Sequence, residues 1–204
     1  MAGVLSALLL GTAMALILNA IPADSTDATV WLTDPSHRDV LNVALALVPF
    51  AGILFLWFMG AVRDYFGKAE DKFFATLFLG GGLLFVAMLF VLSAATYGLL
   101  ASADTSQGSA QLQLWQYVRQ FDTALLSTYC TRMAAVLTLA ATTIGHGLDT
   151  FPRWLIWLGY LVAVVLLFID IPWSELIFPV WILLLSSFVF LADRHHRGAD
   201  TPTS

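Results

Sequence analysis

The sequence predicts an all-α fold, a polytopic bundle of six membrane-spanning helices with no sizeable soluble domain. Three observations carry that prediction. Hydrophobic residues make up 59% of the 204 positions and charged residues 11%, whereas an ordinary soluble domain is about 25% charged. The apolar residues gather into six runs, and each run is bounded by turn-forming or charged residues. A helix crossing the hydrocarbon core takes about 20 residues, so six spans with short connections use nearly the whole chain. It reads as one transmembrane domain over residues 1–204.

The first span, residues 4–21, is an uncharged run from Val4 to Ile21. The following Asn19-Ala20-Ile21-Pro22-Ala23 loosely resembles a cleavage site, but Met1-Ala2-Gly3 lacks the positive charge that opens a signal peptide. An uncleaved helix is expected. Pro22 to Asp39 is a polar connection, with Trp31 suited to the interface and Thr33-Asp34-Pro35-Ser36 reading as a turn or helix start. Span two covers residues 40–62 and contains Pro49, which removes one backbone bond and tends to bend a helix. A short charged loop follows, with Arg63, Asp64, Lys68, Glu70, Asp71 and Lys72. Span three covers residues 73–100 and holds Gly80, Gly81 and Gly82. Small residues let helix backbones approach closely in lipid, so the three glycines predict a helix crossing; the alternative is a flexible hinge.

Ala101 to Ala110 is rich in Ser, Asp, Thr and Gly and reads as a loop. Span four covers residues 121–144, within a longer apolar stretch from Gln111 to His146. Gly145, Gly147 and Pro152 then form a strong stop. Span five covers residues 154–169. Asp170 to Glu175 is a tight turn, which makes spans five and six an antiparallel hairpin. Span six covers residues 176–192 and contains Pro179; a polar tail follows. No internal repeat is visible.

Lysines and arginines set the orientation. Arg63, Lys68, Lys72, Arg153, Arg194 and Arg197 fall on one side of a six-span threading, against Arg38 and Arg119 on the other. The bias places both termini in the cytoplasm. The formal charge of −5 argues against nucleic acid as a partner. Cys130 is the single cysteine, so no intrachain disulfide can form.

Span four carries the sharpest candidate site. Asp122, Leu125, Tyr129, Arg132, Val136, Leu139 and Thr143 recur at steps of three and four, which puts them on one helical stripe. The stripe reads as the inward face of the bundle. Arg132 sits near mid-span, where charge is costly and faces protein or water. It suits either an anion or lipid headgroup, or a structural lock onto backbone carbonyls. Tyr129, one turn earlier, is placed to accept from it or stack with it. Asp122 lies about 15 Å away along the helix, too far to pair with Arg132. Arg119 and Asp122, three apart, predict an interfacial ion pair.

His146, His195 and His196 lack metal-ligand spacing, and no Cys-x-x-Cys or phosphate loop occurs. No metal, cofactor or catalytic residue is assigned. Ser186 and Ser187 lack a nearby base; serines in spanning helices more often bond backbone.

Phe55 to Asp64, Glu70 to Gly80, Tyr129 to Ala135 and the Pro152-Arg153-Trp154 corner are similar to a family of small uncharacterised multi-pass bacterial membrane proteins, mostly actinobacterial. The resemblance covers spans two to six. It implies a bacterial inner-membrane setting and brings no activity or ligand with it. The expected role is therefore a non-enzymatic structural or interaction role, such as an accessory subunit. Its partners would be the lipid bilayer and either other proteins or further copies of the chain. The alternative is a small transporter or channel component with a polar path along Asp122, Tyr129 and Arg132.

Overall fold

The computed structural model describes residues 2–20, 35–67, 72–102, 109–169 and 173–199, which are helical apart from short turns. In chain order they form α1 (Ala2–Ala20), α2 (Pro35–Phe66), α3 (Lys72–Ser102), α4 (Ser109–Thr123), α5 (Thr131–Gly147), α6 (Arg153–Phe168) and α7 (Ile177–Ala199). A π-helical segment, Ala124–Cys130, joins α4 and α5 into one rod. A 3-10 turn, Ser174–Leu176, leads into α7. Most of the expected connections, including Trp31, Lys68, Glu70, Asp71, Asp104 and Asp170, lie outside the described residues.

The all-α expectation holds. Four stretches are long and apolar enough to cross a membrane: Arg38–Phe66, Lys72–Ala101, Gln113–Gly147 and Ser174–Ala192. Two apolar helices are shorter, Ala2–Leu18 and Arg153–Phe168, at expected spans one and five. The 16 residues of α6 reach about 24 Å at 1.5 Å each, less than the roughly 30 Å hydrocarbon core.

Helix ends follow local chemistry. The α2 helix continues past the expected boundary, so Arg63 and Asp64 sit on helix rather than in a loop. It stops at Gly67, whose φ of +73° is the left-handed conformation that glycine takes without strain. Pro49 lies inside α2, which runs on through it. At the end of α5 the left-handed residue is Asp149, φ 51°, rather than either glycine. Thr150 N–H then donates to Gly145 O at 3.1 Å, satisfying a terminal carbonyl.

The helix faces sort by packing. On α1, Ala7, Leu10, Met14 and Ile17 are buried at steps of three and four, while Leu5 and Leu8 are exposed. That face lies on α2 and α7. Helix α3 packs between α2 and α5, and α6 lies against α5 and α7. Phe55, Phe85 and Phe178 tie α2, α3 and α7 together, with ring centroids 4.9 Å apart for Phe85–Phe178 and 5.4 Å for Phe55–Phe85. These are favourable tilted and edge-on separations.

The three glycines of α3 divide. A Cβ at Gly81 would lie 3.4 Å from Met133 O and 3.5 Å from Leu137 N, both backbone atoms of α5. One at Gly82 would press into Met59 and Leu137, and one at Gly80 would meet nothing within 4 Å. Gly81 and Gly82 thus lie where α3 crosses α5. The helix is unbroken through all three.

The outer surface is apolar. Phe50, Ile53, Trp57, Leu84, Leu161 and Phe168 are exposed, while Ser6, Thr96, Asp122, Thr138, Thr142 and Glu175 are inside. Soluble monomers rarely expose contiguous apolar patches beyond a few hundred Å². Several interior hydroxyls turn back to their own helix: Thr142 Oγ1 donates to Thr138 O at 2.7 Å, and half-buried Ser187 Oγ donates to Leu183 O at 2.7 Å.

Candidate functional site

The long rod α4–π–α5 changes phase at its centre. One row of its buried positions runs Trp115, Val118, Asp122, Leu126, Cys130, Ala134, Leu137, Ala141. From Val118 to Ala134 every step is four residues. In an α-helix each such step drifts about 40° past a full turn, so four of them would carry the row about 160° around the rod. The wider π turns, bonded five residues apart, absorb that drift. Thr131 N–H reaches back to Leu126 O, and Thr131 Oγ1 donates to the same carbonyl at 2.9 Å.

The stripe expected to face inward is split by this change. Asp122 precedes the π segment and is 3% exposed. Beyond it, Tyr129 is 54% exposed and Leu139 is 40% exposed, while Arg132, Val136 and Thr143 are half-buried. The stripe from Tyr129 to Thr143 is therefore the outward face of α5. A stripe of alternating three- and four-residue steps keeps one face only where the helix stays α throughout.

Asp122 makes its bond across the bundle. Its Oδ2 lies 2.5 Å from Thr96 Oγ1 on α3, and Thr96 Oγ1 lies 2.9 Å from Leu92 O. A hydroxyl has one proton to donate and cannot fully serve both oxygens. Thr96 Oγ1 thus shares its proton between Asp122 Oδ2 and the Leu92 carbonyl. Asp122 Oδ1 is buried with no hydrogen-bond partner. The expected ion pair with Arg119 is replaced: the Arg119 guanidinium sits 5.3 Å from the centre of the Trp115 ring, a cation–π distance.

A second buried carboxyl stands nearby. Trp173 takes a left-handed backbone, φ 72°, unusual for a bulky residue. The turn after it buries Glu175, which is 5% exposed. Ser127 Oγ, in the π segment, donates to Glu175 Oε1 at 2.6 Å, and Glu175 Oε2 is buried without a partner. Asp122 and Ser127 are five residues apart. Five residues on an α-helix point about 140° apart, but five is the π-helical bonding interval and brings them to one side. Both line a half-open pocket of about 70 Å³, together with Ile17 and Leu18 of α1, Thr123 and Leu126.

Arg132 lies on the other face. Its Nη1 donates to Thr128 O at 3.1 Å, one turn earlier on its own rod. Tyr129 is beside it on the surface. His146 is exposed and contacts Tyr160, with Tyr160 Oη 3.5 Å from His146 Nδ1. Among the described residues no group of three or more His, Cys, Asp or Glu is placed to hold a metal ion.

Thr96, Ser127 and Glu175 were not singled out by sequence reasoning. Glu175 reads as part of a turn, and nothing in its neighbours marks it as buried. Thr96 and Ser127 are ordinary hydroxyls inside apolar runs. The available signal was the row of four-residue steps from Val118 to Ala134, which competes with the stripe through Arg132. No family model matches the chain, and neither the curated proteins nor the solved structures give a match.

Proposed function

We propose that the chain is an integral protein of a bacterial inner membrane, with six spans and both termini cytoplasmic, and with a non-enzymatic interaction role as an accessory subunit. Its apolar exterior and four membrane-length helices support the bilayer setting. The two shorter helices, α1 and α6, pack along longer neighbours and would cross with them, through local thinning of the bilayer. The lysine and arginine bias supports the orientation. The resemblance in spans two to six supports the bacterial setting.

The observation that carries the interaction role is the outward stripe of α5. Tyr129 and Leu139 are exposed there and Arg132 and Val136 are half-buried, a face that the chain's own helices leave half open. A partner helix laid along Tyr129, Arg132, Val136 and Leu139 would cover that face. A continuous transport path through Asp122, Tyr129 and Arg132 is less well supported, because Asp122 is inside the bundle and the other two face out.

Native mass spectrometry of the protein extracted with its own lipids tests this. The parent is expected in a complex larger than one 22.3 kDa chain. Arg132→Ala is expected to fall to the single-chain mass, while Leu161→Ala, on the exposed face of α6, keeps the complex. A parent that runs as a single chain, or an Arg132→Ala complex as stable as the parent's, contradicts the role.

A further inference from the structure

The interaction role leaves unused an open groove of about 820 Å³ where the end of α2 meets the start of α3, with Gly60, Arg63 and Asp64 on one wall and Lys72, Thr76 and Leu79 on the other. We propose that this groove binds one molecule of an anionic phospholipid, phosphatidylglycerol, with its phosphate at Arg63 and Lys72 and an acyl chain running down past Gly60 and Leu79. The proposal rests on the bilayer setting and not on the α5 face.

The groove is graded along the helix axes. Its cations sit at helix ends: Arg63 is in the last turn of α2, and Lys72 is the first residue of α3. Gly60 lies three residues before Arg63 and Leu79 seven after Lys72, which is about 4.5 Å and 10 Å deeper at 1.5 Å per residue. All four residues are exposed. A phospholipid has the same order, with its phosphate at the interface and its chain in the hydrocarbon. Thr76 Oγ1 donates to Lys72 O at 2.8 Å, so below the cations that wall offers no spare hydroxyl proton to a polar ligand.

The charge matches. Two positive groups, Arg63 and Lys72, and one negative group, Asp64, leave the described lining with one net positive charge, and a phosphodiester carries one negative charge. Arginine holds phosphate oxygens through parallel N–H bonds, and lysine adds a point charge. Basic pockets between spanning helices on the cytoplasmic side take anionic headgroups, and the lysine and arginine bias supports that side for this end. The groove also has room. Nothing lies within 4 Å of a Cβ position at Gly60 or at Gly67, the residue that ends α2. Its 820 Å³ falls within the roughly 300–1,000 Å³ of ligand sites. A free phosphate would fill only the charged rim and leave Leu79 uncovered.

Lipid retention tests the site. The protein is released from nanodiscs of equimolar phosphatidylglycerol and phosphatidylcholine, and the lipid kept per chain is read as added mass by native mass spectrometry. One phosphatidylglycerol per chain is expected, kept over phosphatidylcholine and, in a second nanodisc, over phosphatidylethanolamine. Arg63→Ala combined with Lys72→Ala should weaken retention about thirtyfold, since each basic residue beside anionic lipid is worth about fivefold. Gly60→Leu fills the open wall and should lower retention with both cations in place. Arg153→Ala, which removes a cation elsewhere on the same side, should not. All variants should keep the parent's Tm in phosphatidylcholine alone, which separates lost binding from lost folding. Glycerol 3-phosphate, a headgroup phosphate without chains, should leave the parent's Tm unchanged. Equal retention of the lipids by the parent overturns the proposal, as does parental retention in the double variant or a Tm shift from glycerol 3-phosphate as large as the lipid's. Loss of the larger complex by the double variant, with lipid retention unchanged, would give the groove to a protein and overturn it too. A chain that stays out of nanodiscs would overturn the bilayer setting and the site together.

Discussion

The two halves of the rod α4–π–α5 carry the same kind of stripe and treat it oppositely. Before the π segment, Asp122 points into the bundle, is buried, and bonds to Thr96 on α3. After it, Tyr129 is exposed and Arg132 is half-buried, and Arg132 bonds to the carbonyl of Thr128 on its own rod. In sequence the two regions differ little, since both place a charged residue in an apolar run at α-helical spacing. The difference comes from one wide stretch of backbone, which turns the second half relative to the first. One charged side chain is enclosed by the bundle, and the other lies on the half-open face of α5.

The largest effect should come from turning the second half of the rod. Inserting one alanine after Ala134, inside α5, turns the rest of that helix by about 100°. Leu137 and Ala141 would then leave the core. Loss of folded, detergent-extractable protein is expected, measured as the monodisperse fraction after purification. An insertion variant as well folded as the parent would show that the rotation of α5 is dispensable.

Next in size is the crossing that holds the second half in place. Gly81→Leu should cost roughly 1–3 kcal/mol, because side-chain atoms beyond Cβ must enter the α5 backbone at Met133 and Leu137. Gly80→Leu should be close to neutral, since nothing lies within 4 Å of its Cβ position. Thermal unfolding in the same detergent compares the two. Equal stabilities would place the crossing elsewhere and loosen the argument that α5 is fixed in rotation.

The sequence was informative wherever apolar runs and breakers set the answer. The Val4–Ile21 run, the Gly145 to Pro152 stop and the Trp154–Ile169 run each correspond to a helix or its end in the structure. Boundaries slipped where a helix could extend over charged residues in open space, as α2 does through Arg63 and Asp64 to Gly67. The candidate site was only half legible. Asp122 and Arg132 were visible because charge in an apolar stretch is costly. Their opposite facing was not, because no proline or glycine marks Ala124–Cys130 and periodicity assumes one helix type. Glu175 was hidden by the left-handed turn at Trp173, which carries a residue read as loop into the interior.

The central claim is the phase change, and a nitroxide scan along the rod measures it directly. In a Cys130→Ala background, single cysteines from Gln113 to His146 are spin-labelled in liposomes, and accessibility to molecular oxygen is read by electron paramagnetic resonance. Low accessibility is expected at positions 118, 122, 126, 134, 137 and 141, and high accessibility at 129 and 139. The 3.6-residue period should hold on each side of residues 124–130 and break across them. One unbroken 3.6-residue period through the whole rod, with positions 122, 129 and 132 equally protected, would contradict the account.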